Sequence, residues 1–206
     1  MRVQDLVKAV PDRWQRATRH PFLMGVRDGT LPPGAFATWL VQDYHFVRGL
    51  LPFQARLLAL APRQDQAVLA RGILSLVEEL GWFEDQAARL RLNLQVPVHP
   101  VCRNYVNFLW ALSFGPYAAQ WVSLWALERI YFEAWSNAKP GVEPYREFVE
   151  HWTHPAFEGY VEELEGAATR ALAEATGKEW EAAREALWET IEHEIRFWEM
   201  AWEGGT

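Results

Sequence analysis

Between residues 34 and 61 the apolar side chains return every third and fourth position, so that Phe36, Trp39, Leu40, Phe46, Val47 and Leu50 fall on one helical stripe. A strand, with its period of two, cannot produce this pattern over such a length. The stripe also holds an acid, Asp43, among aromatic and aliphatic neighbours. A carboxylate placed there is out of easy reach of water. It must be hydrogen-bonded to protein, paired with a cation, or turned toward a polar ligand. For a lone acid the first outcome is the commonest, and only the flanking sequence argues for the last.

The same periodicity recurs along the chain. Val3, Leu6, Val7, Val10 and Trp14 predict a helix over 3–18, followed by a loop from His20 to Pro33 in which Gly25, Gly29 and Pro32-Pro33 mark a break. The helix over 34–61 contains Pro52, which predicts a kink, and it ends at Pro62. Val68, Ile73, Leu76, Leu80, Phe83, Ala87 and Leu90 predict a second long helix from Gln64 to about Leu94, and Val96 to Pro100 reads as an extended connector. Helix is expected over 103–112, then, after a break at Ser113 to Pro116, again through Trp135, with a stop at Lys139-Pro140-Gly141. The last third reads as helix over 143–152, a restart at Pro155 that runs to Ala175, and a final helix from Gly177 or Lys178 to Trp202. No alternating pattern of useful length and no internal repeat is visible. The expected fold is all-α, a single domain over residues 1–206 with its helices packed as a bundle.

On the final helix Leu187, Ile191, Glu194, Ile195, Trp198 and Ala201 share a face, so Glu194 repeats the situation of Asp43. Two acids on core-facing stripes of two helices could share one cavity, although spacing alone does not bring them together. Composition excludes other classes. Lys and Arg total 20 against 27 acids, and no basic run stands out, which argues against a nucleic-acid partner. Cys102 is the single cysteine, so no intramolecular disulfide is possible and a reducing compartment fits. Without a signal-peptide core or 18 consecutive apolar residues, a cytoplasmic protein with no membrane partner is expected.

Three motifs carry a resemblance. His20-Pro21-Phe22, Asp28-Gly29-Thr30-Leu31-Pro32 and Gln42-Asp43-Tyr44 resemble the N-terminal signature of the TenA / thiaminase II family. Glu194-Ile195-Arg196-Phe197-Trp198-Glu199-Met200-Ala201 is similar to its C-terminal signature, and Trp125-Ala126-Leu127-Glu128-Arg129-Ile130-Tyr131 resembles its cysteine-less branch. The resemblance covers nearly the whole chain. It implies a haem-oxygenase-like fold, a homo-oligomer (dimer or tetramer) and a small-molecule pyrimidine substrate, with the matching acids gathered around one site. Asp43 then takes the amidine edge of a 4-aminopyrimidine, and Glu194 acts as general acid/base. Phe46, Tyr105, Tyr131, Trp152 and Phe197 match the family's pocket lining. Glu79, in Glu78-Glu79-Leu80-Gly81-Trp82-Phe83, aligns with an acid of the branch and is expected to face the cavity, where it supports the water or the substrate amine. A solvated helix surface is the equally plain reading of that residue.

The sequence departs from the thiaminase pattern. The family's nucleophilic cysteine lies four residues before the matching tyrosine, and here Leu127 precedes Tyr131 in that slot. Phe46 and Trp152 stand where thiaminases carry tyrosines, and Cys102 aligns with no family cysteine. Thiolate attack on the pyrimidine is therefore not expected. The cysteine-less branch implies instead hydrolysis of aminopyrimidine or N-formylaminopyrimidine thiamin breakdown products to 4-amino-5-hydroxymethyl-2-methylpyrimidine. Two other readings stand beside it: a binding protein that holds a heterocycle without turnover, and a metal-dependent oxidase on the same fold. The histidines give the oxidase reading little support. Helical di-iron sites use Glu-x-x-His units, which this chain lacks, and His151 and His154 precede Pro155 near a helix end, where capping is the simpler role. No metal and no cofactor are expected. Some of Trp82, Trp110, Trp121 and Trp188 are expected at a subunit interface.

Overall fold

A computed structural model describes residues 2–204, and ten helices occupy most of that span. They are α1 (Val3–Val7), α2 (Pro11–Thr18), α3 (Pro21–Asp28), α4 (Pro33–Leu60), α5 (Arg63–Leu90), α6 (Pro100–Leu112), α7 (Tyr117–Asn137), α8 (Arg146–Trp152), α9 (Pro155–Glu174) and α10 (Gly177–Glu203). Among the described residues no strand is present, as the periodicity requires. Two local expectations fail. The helix expected over 3–18 is two helices, because Pro11 has no N–H to extend the first and instead opens the second at its first turn. The loop expected from His20 to Pro33 contains α3, which Pro21 starts and Gly29 ends in the left-handed region at φ 75°.

One capping device recurs at three helix starts. In His20-Pro21, His99-Pro100 and His154-Pro155 the histidine precedes a helix whose first residue is proline, and its side chain accepts from the backbone N–H two residues on. The distance is 3.2 Å in each case. Proline needs no partner at that position, and the imidazole satisfies the next orphan donor. At α10 the cap is a Thr176/Glu179 box, with Glu179 accepting from the Thr176 N–H at 2.8 Å.

α7 forms the centre. From Ala118 to Glu128 every residue is buried, so this helix has no solvent face to mark it as amphipathic. α10, α9 and α2 pack on it, α4 touches both α7 and α10, and α5 and α6 lie against α4. The tryptophans divide accordingly. Trp39, Trp121, Trp125, Trp135 and Trp198 are fully buried, whereas Trp110 and Trp188 are exposed beneath arginine, with Arg13 lying 4.1 Å over the Trp188 ring and Arg56 5.5 Å from that of Trp110. Among the described residues no helix is long and apolar enough to cross a membrane.

His20 caps α3 only as neutral imidazole, and burial, followed by nearby Arg16, lowers its pKa to about 4. His193 is lowered to about 4 as well, mainly by burial. Unfolding returns both rings to ordinary values near 6.5. Their stabilising contribution is thus complete above pH 6.5 and is lost as pH falls toward 4. Thermal melting followed by circular dichroism is expected to show Tm falling across that window, and His20→Gln is expected to flatten part of the fall.

Candidate active site

α4, α5, α6, α7, α8, α9 and α10 together enclose a cavity of about 510 Å³. Its walls are aromatic and aliphatic, with Phe46, Trp82, Tyr105, Tyr131, Trp152, Phe157, Tyr160 and Phe197 contributing rings. Acids are prominent within it. Asp43, Glu79, Glu128 and Glu194 all face the space, with Glu78 nearer solvent, and none of the lining residues is Lys or Arg. The eight residues singled out from sequence, Asp43, Phe46, Glu79, Tyr105, Tyr131, Trp152, Glu194 and Phe197, all line this one cavity.

Aromatic donors hold three of the acids. Tyr131 donates to Asp43 Oδ2 and accepts from Trp39 Nε1 at 3.2 Å. Trp39 and Asp43 lie one turn apart on α4, so that helix both orients the Tyr131 hydroxyl and receives its proton. Tyr105 donates to Glu194 Oε1 at 2.7 Å, and its ring is stacked on His193 with centroids 4.8 Å apart. Trp152 Nε1 donates to Glu79 Oε1 at 2.9 Å, while His151, stacked on Trp82 at 4.2 Å, brings Nε2 within 3.8 Å of the same oxygen. Among the described residues no hydrogen bond reaches the other oxygen of either tyrosine-bound carboxyl. Glu128 differs from the others: it is 8% exposed, and among the described residues none donates a hydrogen bond to it.

Burial sets the protonation of the group. It raises the Glu194 carboxyl to about 8, against the opposing pull of the Tyr105 bond. Asp43 is pushed well above the usual carboxylate range by burial, a shift that the Tyr131 bond offsets and that Glu79 and Glu194 reinforce by repulsion. Glu128 is raised by burial and then by the charges of Glu79, Glu194 and Asp43. Burial thus favours the protonated form of each of these three acids. A cationic ligand can pair with a carboxylate here, whereas no Lys or Arg lines the cavity to pair with an anion. Among the described residues no three His, Cys, Asp or Glu side chains gather closely enough to hold a metal.

With this geometry in view, residues 7–204 match the family described as TENA/THI-4/PQQC. The chain belongs to that family. It is 34% identical over 197 residues to a probable bifunctional TENA-E protein of Glycine max, an alignment that covers 90% of this chain and 86% of the relative. Its fold superimposes on that of a TenA homologue from Pyrococcus furiosus with a TM-score of 0.93 and 31% identity, covering 98% of this chain and 100% of the other. A domain from Shewanella denitrificans described as having a heme oxygenase-like fold matches at a TM-score of 0.78 with 13% identity, over 98% of this chain and 93% of that one. That last match concerns the fold alone and agrees with the haem-oxygenase-like expectation.

Sequence reading passed over two cavity residues of this TenA-family chain. Glu128 sits beside Leu127 in the motif that marked the cysteine-less branch, and Ala118 to Leu127 contains no charged residue at all. A first charge at the end of so apolar a run was the available signal. Tyr160 offered none, because it becomes a wall residue only through the packing of α9 on α5 and α7. Cys102 is buried away from the cavity; burial raises its thiol to about 12, and it donates weakly to the Gln42 carbonyl at 3.4 Å.

Because Glu128 has no protein donor, the fold loses stability by ionising it. Its raised pKa means that this loss is absent below the ordinary carboxylate range near 4.5 and grows as pH rises. Glu128→Gln is expected to raise Tm at pH 8 by roughly 3 °C or more, with a smaller effect at pH 5. Parallel melts at the two pH values check this.

Proposed function

We propose that this protein hydrolyses a carbon–nitrogen bond of an aminopyrimidine or N-formylaminopyrimidine derived from thiamin breakdown, a salvage step leading to 4-amino-5-hydroxymethyl-2-methylpyrimidine. The observation that carries the reading is the pair of acid–tyrosine units, Asp43 with Tyr131 and Glu194 with Tyr105, in one aromatic cavity that no Lys or Arg lines. Membership of the TENA/THI-4/PQQC family and the identity to a TENA-E relative support it.

Asp43 meets the amidine edge of the pyrimidine, a ring nitrogen beside an exocyclic amine. Whichever partner holds the proton, a carboxyl and an amidine share two hydrogen bonds. The ring lies among Phe46, Tyr105 and Phe197, where Tyr105 and Phe46 already stand 4.6 Å apart. In deformylation, water adds to the formyl carbon and gives up a proton to Glu79; the carbon–nitrogen bond then breaks as Glu194 protonates the departing amine. Formate and the aminomethylpyrimidine result. Glu194, raised to about 8, holds the required proton at neutral pH. Trp152 fixes Glu79 for its proton-accepting role by donating to its Oε1. Leu127 lines the cavity where thiaminases place their nucleophile, and no thiol is needed for this chemistry.

Chromatographic assay of the purified protein against thiamin, the aminomethylpyrimidine and its N-formyl derivative is expected to give product from the latter two and none from thiamin. Glu194→Gln is expected to lower kcat by about 100-fold or more. For the wild type, kcat/KM is expected to fall as pH rises past about 8, where Glu194 loses its proton. Full activity in Glu194→Gln would remove the acid from this mechanism. Tight binding of all three compounds without product would make the protein a binder rather than a catalyst.

A further inference from the structure

The cavity has a second polar end that the amidine clamp does not use. Gln54 on α4 is fully buried, and its amide nitrogen donates to both the Leu69 carbonyl and the Tyr160 hydroxyl, at 3.1 Å each. Those two bonds consume both N–H groups and fix which way the amide points. Tyr160 thus accepts from Gln54, and its own proton remains; among the described residues no group takes it. The residue lines the cavity, so the proton is available there. Burial, with Glu128 as the strongest neighbouring charge and Gln54 opposing, holds the phenol well above its ordinary range and keeps it a donor.

Gly72 on α5 makes the arrangement possible. A Cβ at that position would stand 2.2 Å from Gln54 Nε2 and 2.3 Å from the Tyr160 hydroxyl, so any larger residue displaces the pair. Gln54 also leaves its own Oε1 buried without a partner, a cost that an apolar residue of similar size would avoid. Eleven residues separate Gln54 from Asp43, about 16 Å along the axis of α4. Each tyrosine has acids near it. Tyr131 feels Asp43 and then Glu79, Tyr105 feels Glu194 and then Glu128 and Asp43, and Tyr160 feels Glu128 and then Glu79. Glu79 and Glu128 line the same cavity as Asp43 and Tyr160, so a ring held at Asp43 can direct its substituent toward Tyr160.

We propose that Tyr160, positioned by Gln54 across Gly72, donates its hydroxyl proton to a carbonyl oxygen on the substrate's amine, which makes this end of the cavity an acyl subsite. The inference rests on the hydrolytic reading above and deepens it by selecting the acylated amine over the free one. As water adds to the acyl carbon, the carbonyl oxygen becomes an oxyanion facing Tyr160, while Glu79 takes the water proton. The donor is in place before charge develops, which is how an oxyanion site lowers a barrier.

The test compares Tyr160→Phe and Gln54→Leu with the wild type, using the N-formyl derivative, the free amine and the hydroxymethylpyrimidine as probes. Steady-state deformylation and quenching of tryptophan fluorescence give the readouts. Tyr160→Phe is expected to lower kcat for deformylation by about 100-fold, with affinity for the hydroxymethylpyrimidine held within about two-fold. Gln54→Leu is expected to give a smaller loss in kcat rather than in KM. An unchanged deformylation rate in Tyr160→Phe, or an equal loss of affinity for all three probes, overturns the subsite. If the wild type turns over none of the probes, the hydrolytic reading falls by itself, and the ratio of affinities for N-formyl compound and amine decides the subsite. Tyr160→Phe must then lower that ratio by about five-fold or more; an unchanged ratio overturns the proposal.

Discussion

Carboxyl groups buried without a cation are the constraint on which this structure turns. Asp43, Glu128 and Glu194 lie in the interior of a helical bundle, and none of the residues around their cavity is Lys or Arg. An ionised carboxylate there is costly, so burial favours the protonated forms, and tyrosine hydroxyls fix the orientation of two of them. The bundle is arranged to deliver those hydroxyls. Tyr131 comes from the fully packed central helix α7, and Tyr105 from α6, which lies against α4 and α10.

Such a site is specific by sign of charge as much as by shape. It presents proton donors and acceptors among aromatic rings, and no Lys or Arg lines it to pair with an anion. Stability and function oppose each other here. Glu128, with no protein partner, and Gln54, with an orphaned oxygen, are both positions where a less polar side chain suits the fold better. Glu128 lines the cavity and Gln54 holds Tyr160, which lines it too, and such costs are expected to concentrate around a functional site.

Much of this was legible in the sequence. The 3.6-residue period located the long helices, and an acid on an apolar stripe drew attention to Asp43 and Glu194. The family signatures added Phe46, Glu79, Tyr105, Tyr131, Trp152 and Phe197, and all of them reach the one cavity. The short N-terminal helices were read less well. A His-Pro pair looks like a loop when only breakers are counted, yet at His20-Pro21 proline and imidazole together satisfy a helix start.

What the sequence determined by itself was local: helix period, helix ends, the polarity of each face, and the absence of a cysteine where a thiaminase nucleophile belongs. Tertiary structure decided which polar groups share a partner. Glu128 drew no notice on a helix that is buried all round, because a stripe argument requires a polar face for contrast. Tyr160 acquired its role only when α9 closed on α5 at Gly72, where the missing side chain leaves room for a phenol and an amide. Hydrogen-bond partners more than one hundred positions apart in the chain, as Gln54 and Tyr160 are, follow from packing and leave no trace in local spacing.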